Sequence, residues 1–70
     1  MMPLSLATVG EVNVIKKVNG KPEIKQHLEN MGFVSGANVT VISEAQGNVI
    51  VNIKNVRVAI GKDMANKIMV

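Results

Sequence analysis

Six glycines divide the 70-residue chain into short segments, and this punctuation limits the fold more than any other feature. Most of the segments are rich in valine and isoleucine, which favour a pleated, half-buried strand surface. None of them reaches the ~18 apolar residues that a membrane-spanning helix needs. The sequence therefore predicts a mainly β protein in which tight turns join short strands.

The first strand is predicted over residues 11–18. Its apolar alternation begins with Val12 and Val14 and then slips to Ile15 and Val18. A single slip in a two-residue period indicates a bulge or a strong bend, of the kind a small barrel needs to turn a corner.

One short helix is predicted over residues 22–31, because Pro22 suits a first helical turn and an apolar stripe follows at helical spacing. Gly32 stands where a left-handed residue ends a helix, and Phe33 after it is placed to fold back onto the helix. The stripe consists of Ile24, Leu28 and Met31.

The second half of the chain alternates apolar and polar residues in three successive segments, which predicts a three-stranded antiparallel meander. Residues 61–63 then open a single helical turn that runs to about residue 66, with Asp63 as its cap, and residues 67–70 form a last strand. Because several segments are apolar on both faces, we expect the sheet to close on itself. The predicted fold is a small SH3-like barrel of about five strands, with one short helix after the first strand and a helical turn before the last.

Length and composition indicate one domain over residues 1–70, with a small core that no disulfide supports, because the chain has no cysteine.

Side chains that could act in catalysis are scarce. His27 is the only histidine and Asp63 the only aspartate. The carboxylates are dispersed along the chain, and the two in the predicted helix, Glu23 and Glu29, are six residues apart and share no face. These residue types predict no enzyme, no catalytic residue, no cofactor and no metal site within one chain. An alternative use of His27 is as one ligand of a weak intermolecular metal site, with Glu23 one turn away.

The formal net charge is +3, but the lysines are scattered, and Lys16-Lys17 is their only adjacent pair. Solvated lysines that keep a small protein soluble are the simpler interpretation, and a nucleic-acid-binding barrel is the alternative. We expect no nucleic-acid partner, since Arg57 is the only arginine and Phe33 the only aromatic residue. The N-terminus lacks the basic and apolar regions of a signal peptide, which predicts a cytoplasmic protein.

The segment from Leu28 to Gly36 is the best candidate for a partner-binding surface. Apolar side chains surround two glycines there, at a point where the chain changes direction. They either fill the core or leave an exposed apolar patch, which on so small a protein would mark an interface. The candidate partner-binding residues are Leu28, Met31, Gly32, Phe33, Val34 and Gly36.

The order of motifs resembles the ferrous iron transport protein A (FeoA) family over nearly the whole chain. The stretch Leu28-x-x-Met31-Gly32-Phe33-Val34-x-Gly36, followed by Val39-x-Val41, is similar to the central motif of that family. Ser35 stands where the family usually has proline, which removes only a preset φ angle. Further matching residues are Leu4, Ala7, Gly10, Ile15, Val18, Gly47, Val49, Val51, residues 58–60, Ala65, Ile68 and Val70.

The resemblance implies an SH3-like barrel with a cytoplasmic accessory role in bacterial ferrous iron uptake and iron homeostasis. The implied partner is the membrane permease with a cytosolic GTPase domain (FeoB), which could hold the protein at the inner membrane. The same module occurs in metal-dependent repressors, so a metal-responsive regulatory domain is a further alternative. The family is described as binding transition metals, but this sequence offers no ligand cluster, so we expect weak metal binding at most. Any homo-oligomer is expected to be weak.

Overall fold

The computed structural model describes residues 1–70 and contains six strands and two short α-helices. The helices are α1 (Pro22–Asn30) and α2 (Lys62–Ala65). Four strands form an antiparallel sheet in the order β1-β3-β4-β5, and the other two strands form a small second sheet. The strands are β1 (Val12–Val14), β2 (Lys17–Val18), β3 (Asn38–Ala45), β4 (Asn48–Ile53), β5 (Val56–Gly61) and β6 (Ile68–Met69).

The bend predicted in the first strand is confirmed, and it divides that strand into β1 and β2. Strand β1 pairs with β3, whereas β2 pairs with β6 in the second sheet. Ile15, at the bend, is buried; its N–H donates to the Ala37 carbonyl at 2.9 Å, and its carbonyl accepts from the Gly36 N–H at 2.8 Å. The chain thus passes from one sheet to the other here, which is why the fold has six strands rather than about five.

The predicted three-stranded meander is confirmed as β3, β4 and β5. Each of its two hairpins closes through a two-residue loop in which both residues have positive φ angles. This is the backbone of a type I′ turn, whose twist matches that of the flanking strands. The loop residues are Gln46 and Gly47 in the first hairpin, and Lys54 and Asn55 in the second.

Helix α1 ends at Asn30, one residue earlier than predicted. The predicted ending, a left-handed glycine followed by Phe33, is confirmed. Gly32 has a φ angle of +105°, and its N–H donates to the Glu29 carbonyl at 2.9 Å. The Phe33 N–H donates to the Leu28 carbonyl at 3.0 Å. This pair of bonds is a Schellman ending, which needs a residue that tolerates a positive φ angle.

The two ends of the chain lie side by side. The backbone N–H groups of Met2 and Val70 each donate to the other's carbonyl, at 2.9 and 2.8 Å. A 3₁₀ turn over Leu4–Leu6, which the sequence did not predict, buries Leu4 completely.

The prediction of Asp63 as a cap is wrong. Helix α2 begins at Lys62, so Gly61 holds the cap position and Asp63 lies in the first turn.

The core consists of 14 buried apolar side chains, and no polar or charged side chain is buried with them. Strands β3 and β4 contribute alternate residues to it, as the two-residue period predicts. Strand β5 is at the edge of its sheet and departs from the pattern. Of its three alternating apolar residues only Ile60 is buried, whereas Val56 is 57% exposed.

Candidate functional site: a groove beside the end of helix α1

The segment predicted to bind a partner is divided between core and surface. Leu28 and Phe33 are fully buried, and Gly32 is buried between them at the end of α1. Met31 and Val34 are half-buried, and Gly36 is exposed. Met31, Val34 and Gly36 are therefore accessible to a partner. Leu28, Gly32 and Phe33 are buried and can only support the accessible residues.

The exposed turn after Phe33 is rigidly attached to the bend of the first strand. The Ala37 N–H donates to the Val34 carbonyl at 3.1 Å, and Gly36 has a φ angle of +91°, as the third position of a type II turn requires. The Ser35 hydroxyl donates to the Lys16 carbonyl at 3.1 Å. These bonds fix the turn and the bend as two walls of one surface groove.

We name this feature the lysine groove. It is an open depression of about 380 Å³ between α1, β2 and the turn after Phe33. We call its three apolar lining residues, Val18, Phe33 and Val34, the floor; Val18 and Phe33 are buried and Val34 is half-buried. The other six lining residues are polar or charged. Its lining consists of residues 16–19, Lys25, Glu29 and residues 33–35.

The charges around the lysine groove are mainly positive. Lys16, Lys17 and Lys25 line it, and Glu29 is the only carboxylate among its lining residues. The single ion pair of the structure, between Lys62 and Glu44 at 3.1 Å, lies elsewhere and uses none of these groups. The groove therefore presents unpaired ammonium groups over an apolar floor, which suits a ligand that combines carboxylates with an apolar group.

The sequence did not predict that Lys16, Lys17 and Lys25 lie together, because the lysines were interpreted as scattered and solvated. The adjacent pair Lys16-Lys17 was visible, but Lys25 lies on a different element. Only the packing of α1 beside β2 brings the three side chains to one groove. Phe33 and Val34, two of its three apolar lining residues, belong to the segment that the sequence analysis singled out.

A second depression of about 420 Å³ lies against the four-stranded sheet. Three asparagines and one lysine line it, with Val12, Ala37 and Thr40 as its remaining residues. We name it the asparagine depression. The asparagines are Asn38, Asn52 and Asn55, and the lysine is Lys54.

His27 is exposed on α1, one turn after Glu23, as the sequence predicted. The structure brings no three histidine, aspartate or glutamate side chains together in a group that could hold a metal ion. Neither helix has the length and hydropathy needed to cross a lipid bilayer.

A bent first strand, a helix, a three-stranded meander and a return strand make up a small SH3-like fold, and known structures share it. One crystal structure, described as the iron uptake regulatory protein FeoA, superposes with a TM-score of 0.87 at 34% identity, covering 97% of this chain and 90% of that one. A FeoA protein from Chlorobium tepidum superposes with a TM-score of 0.87 at 24% identity, covering 97% of this chain and 67% of that one.

FeoA of Stenotrophomonas maltophilia, solved with zinc and described as a prokaryotic SH3 domain protein, superposes with a TM-score of 0.85 at 21% identity. The superposition covers 99% of this chain and 88% of that one. At these identities the second and third structures show the fold alone. The mainly β, small SH3-like fold predicted from the sequence is thereby confirmed. The expected closure of one sheet on itself is wrong, because the bend after β1 moves the chain into a second sheet, and the four-stranded and two-stranded sheets stay separate.

Comparison of the amino-acid sequence with known proteins shows the family. The family model for the FeoA domain matches residues 2–70. A protein of Methanocaldococcus jannaschii with the name "Putative Fe(2+) transport protein A" is 39% identical over 70 residues, which cover 100% of this chain and 85% of that protein. The chain belongs to the FeoA family, and the resemblance inferred from its motifs is confirmed.

Proposed function

We propose that this chain is a non-catalytic, cytoplasmic accessory protein of ferrous iron uptake. In this proposal it docks on the cytosolic part of the ferrous iron permease that carries a GTPase domain, FeoB, and modulates that permease. The observation that carries the proposal is the family match over residues 2–70, together with a relative named for Fe(2+) transport. The FeoA structure described as an iron uptake regulatory protein supports a regulatory role.

Docking, rather than chemistry, suits the residues that this chain has. Its one histidine is exposed on α1, and no three of its histidine and acidic side chains come together in a group. The lysine groove and the half-buried Val34 supply what a docking site needs, a rim of charge around an apolar contact. We therefore place the contact with the permease at this groove.

A titration of the purified chain against the cytosolic GTPase domain of the permease tests the proposal. We expect saturable binding at micromolar concentrations and a changed rate of GTP hydrolysis by the domain. Running the titration with GTP-loaded and GDP-loaded domain shows whether docking depends on the nucleotide. Absence of binding at tens of micromolar, with either nucleotide, would contradict the proposal.

Val34→Ser locates the contact, because it removes apolar contact area at the groove and leaves the turn intact. Losing about 1 kcal/mol of apolar burial at the interface weakens binding about fivefold. The matched control is Val12→Ser, which shortens an exposed valine in the asparagine depression. Equal effects of the two substitutions would place the contact outside the lysine groove, and thermal unfolding of both variants checks that each remains folded.

A further inference from the structure

We infer that the lysine groove recognises an acidic segment of its protein partner, in which carboxylates flank an apolar side chain. This inference rests on the proposed function and adds the chemistry by which the groove selects its ligand. The carboxylates contact Lys16, Lys17 and Lys25, and the apolar side chain packs on Val34 above the buried Phe33 ring.

The first argument is charge complementarity. Three ammonium groups and one carboxylate line the groove, so its charge is positive at neutral pH. None of the three lysines forms an ion pair within the chain. A single exposed ion pair contributes little, so recognition depends on several pairs formed together, as a segment with more than one carboxylate provides.

The second argument is the composition of the groove floor. Val34 gives the groove floor a small exposed apolar surface, since Val18 and Phe33 beside it are buried. A purely ionic ligand would leave this surface in water, whereas an apolar side chain between two carboxylates would cover it. The lining therefore favours a peptide with alternating acidic and apolar residues over a simple anion.

The third argument separates a peptide from a nucleic acid. The only aromatic ring, Phe33, is fully buried and offers no face for base stacking. The only arginine, Arg57, lies on β5 and does not line the groove.

The walls of the groove are already fixed in the free protein. The Ser35 hydroxyl bond to the Lys16 carbonyl and the Gly36 N–H bond to the Ile15 carbonyl hold the turn against the bend. Backbone ordering on binding is then small, which helps a groove of this size to bind with useful affinity. Only the lysine side chains need to be ordered by the ligand.

The test is a pair of charge reversals with equal change in net charge. The double variant Lys16→Glu/Lys17→Glu reverses charge inside the groove, and Lys54→Glu/Arg57→Glu does so elsewhere on the surface. Against the cytosolic GTPase domain of the permease, we expect the groove variant to raise Kd about tenfold or more, since like charges then face each other. The control variant should raise Kd less than about twofold, because its charges lie outside the contact.

Two further measurements identify the ligand chemistry. Overlapping short peptides that span the cytosolic domain should bind only where acidic residues flank an apolar one. In ¹⁵N-labelled protein, the amide signals of residues 16–19 and 33–35 should then shift. Lys16→Arg/Lys17→Arg keeps the charge and should keep the affinity within about twofold, since ammonium and guanidinium groups both pair with carboxylates.

Each other outcome has a defined meaning. If the domain binds and both charge reversals weaken it equally, the inference is overturned while the proposed function stands. If no peptide with the acidic pattern binds, or if duplex DNA binds more tightly through the same lysines, the inference is also overturned. If the wild-type chain does not bind the domain at all, the proposed function fails, and the inference fails with it.

Discussion

The lysine groove and the asparagine depression have similar volumes, about 380 and 420 Å³, but different chemistry. The groove has three lysines and one carboxylate over a floor formed partly by the core, whereas the depression has three neutral asparagines and one lysine on the outer side of the sheet. Asparagine side chains are well solvated and offer a partner no net charge. The comparison shows that grouping of charge above buried apolar residues, rather than size, distinguishes the candidate site.

The largest expected effect concerns the floors of the two surfaces. Phe33→Asp places a charge where the ring is now fully buried, and we expect it to destabilise the fold by about 4 kcal/mol or more. Val12→Asp, in the asparagine depression, changes a side chain that is 62% exposed, and should cost about 1 kcal/mol at most. Circular dichroism during urea unfolding measures both. A folded, stable Phe33→Asp variant would show that the ring does not support the groove.

An intermediate effect concerns the helix ending that positions the groove wall. Gly32→Ala forces a side chain into a φ angle of +105° and brings its Cβ to 3.4 Å from the Lys54 Cδ. We expect a loss of about 1–2 kcal/mol of unfolding free energy. Gly61→Ala is the matched control, because Gly61 has a φ angle of −64° and open space around it, and it should stay within about 0.5 kcal/mol. Equal losses in the two variants would mean that the left-handed helix ending is not what stabilises this region.

The smallest expected effect concerns a charge that belongs to neither surface. Glu44→Ala removes the ion pair with Lys62, whose two side chains are 49% and 55% exposed. Such a pair contributes about 0.5 kcal/mol or less, and salt screens it further. Thermal unfolding at low and high salt should show little change, and binding to the permease domain should be unaltered. A large change in binding would extend the contact beyond the lysine groove.

Much of the fold could be predicted because local signals and tertiary packing agree. The slip between Val14 and Ile15 indicated the bend, and Gly32 before Phe33 indicated the helix ending. The alternation of β3 and β4 predicted their buried faces correctly. The same alternation failed for Val56, because an edge strand has a partner on one side only and the core does not reach its first residue.

The candidate site was predicted only in part, since surface exposure depends on contacts between distant segments. The segment from Leu28 to Gly36 contributes residues to the lysine groove, but which of its side chains reach solvent depended on how α1 packs against the strands. Leu28 and Phe33 turned out to be fully buried, whereas Val34 is half-buried beside the lysine groove. His27 and Glu23, a pair visible at helical spacing, stand apart from both surfaces.

The amino-acid sequence by itself determined the strand and turn pattern, the helix with its glycine ending, and the family. These depend on side-chain periodicity and on backbone conformations that few residues tolerate, and both are local properties. Only the tertiary structure decided that Lys16 and Lys17 share a groove with Lys25 above the Phe33 ring. That grouping arises because the bend at Ile15 brings β2 beside α1, and no short-range pattern records how two such elements pack.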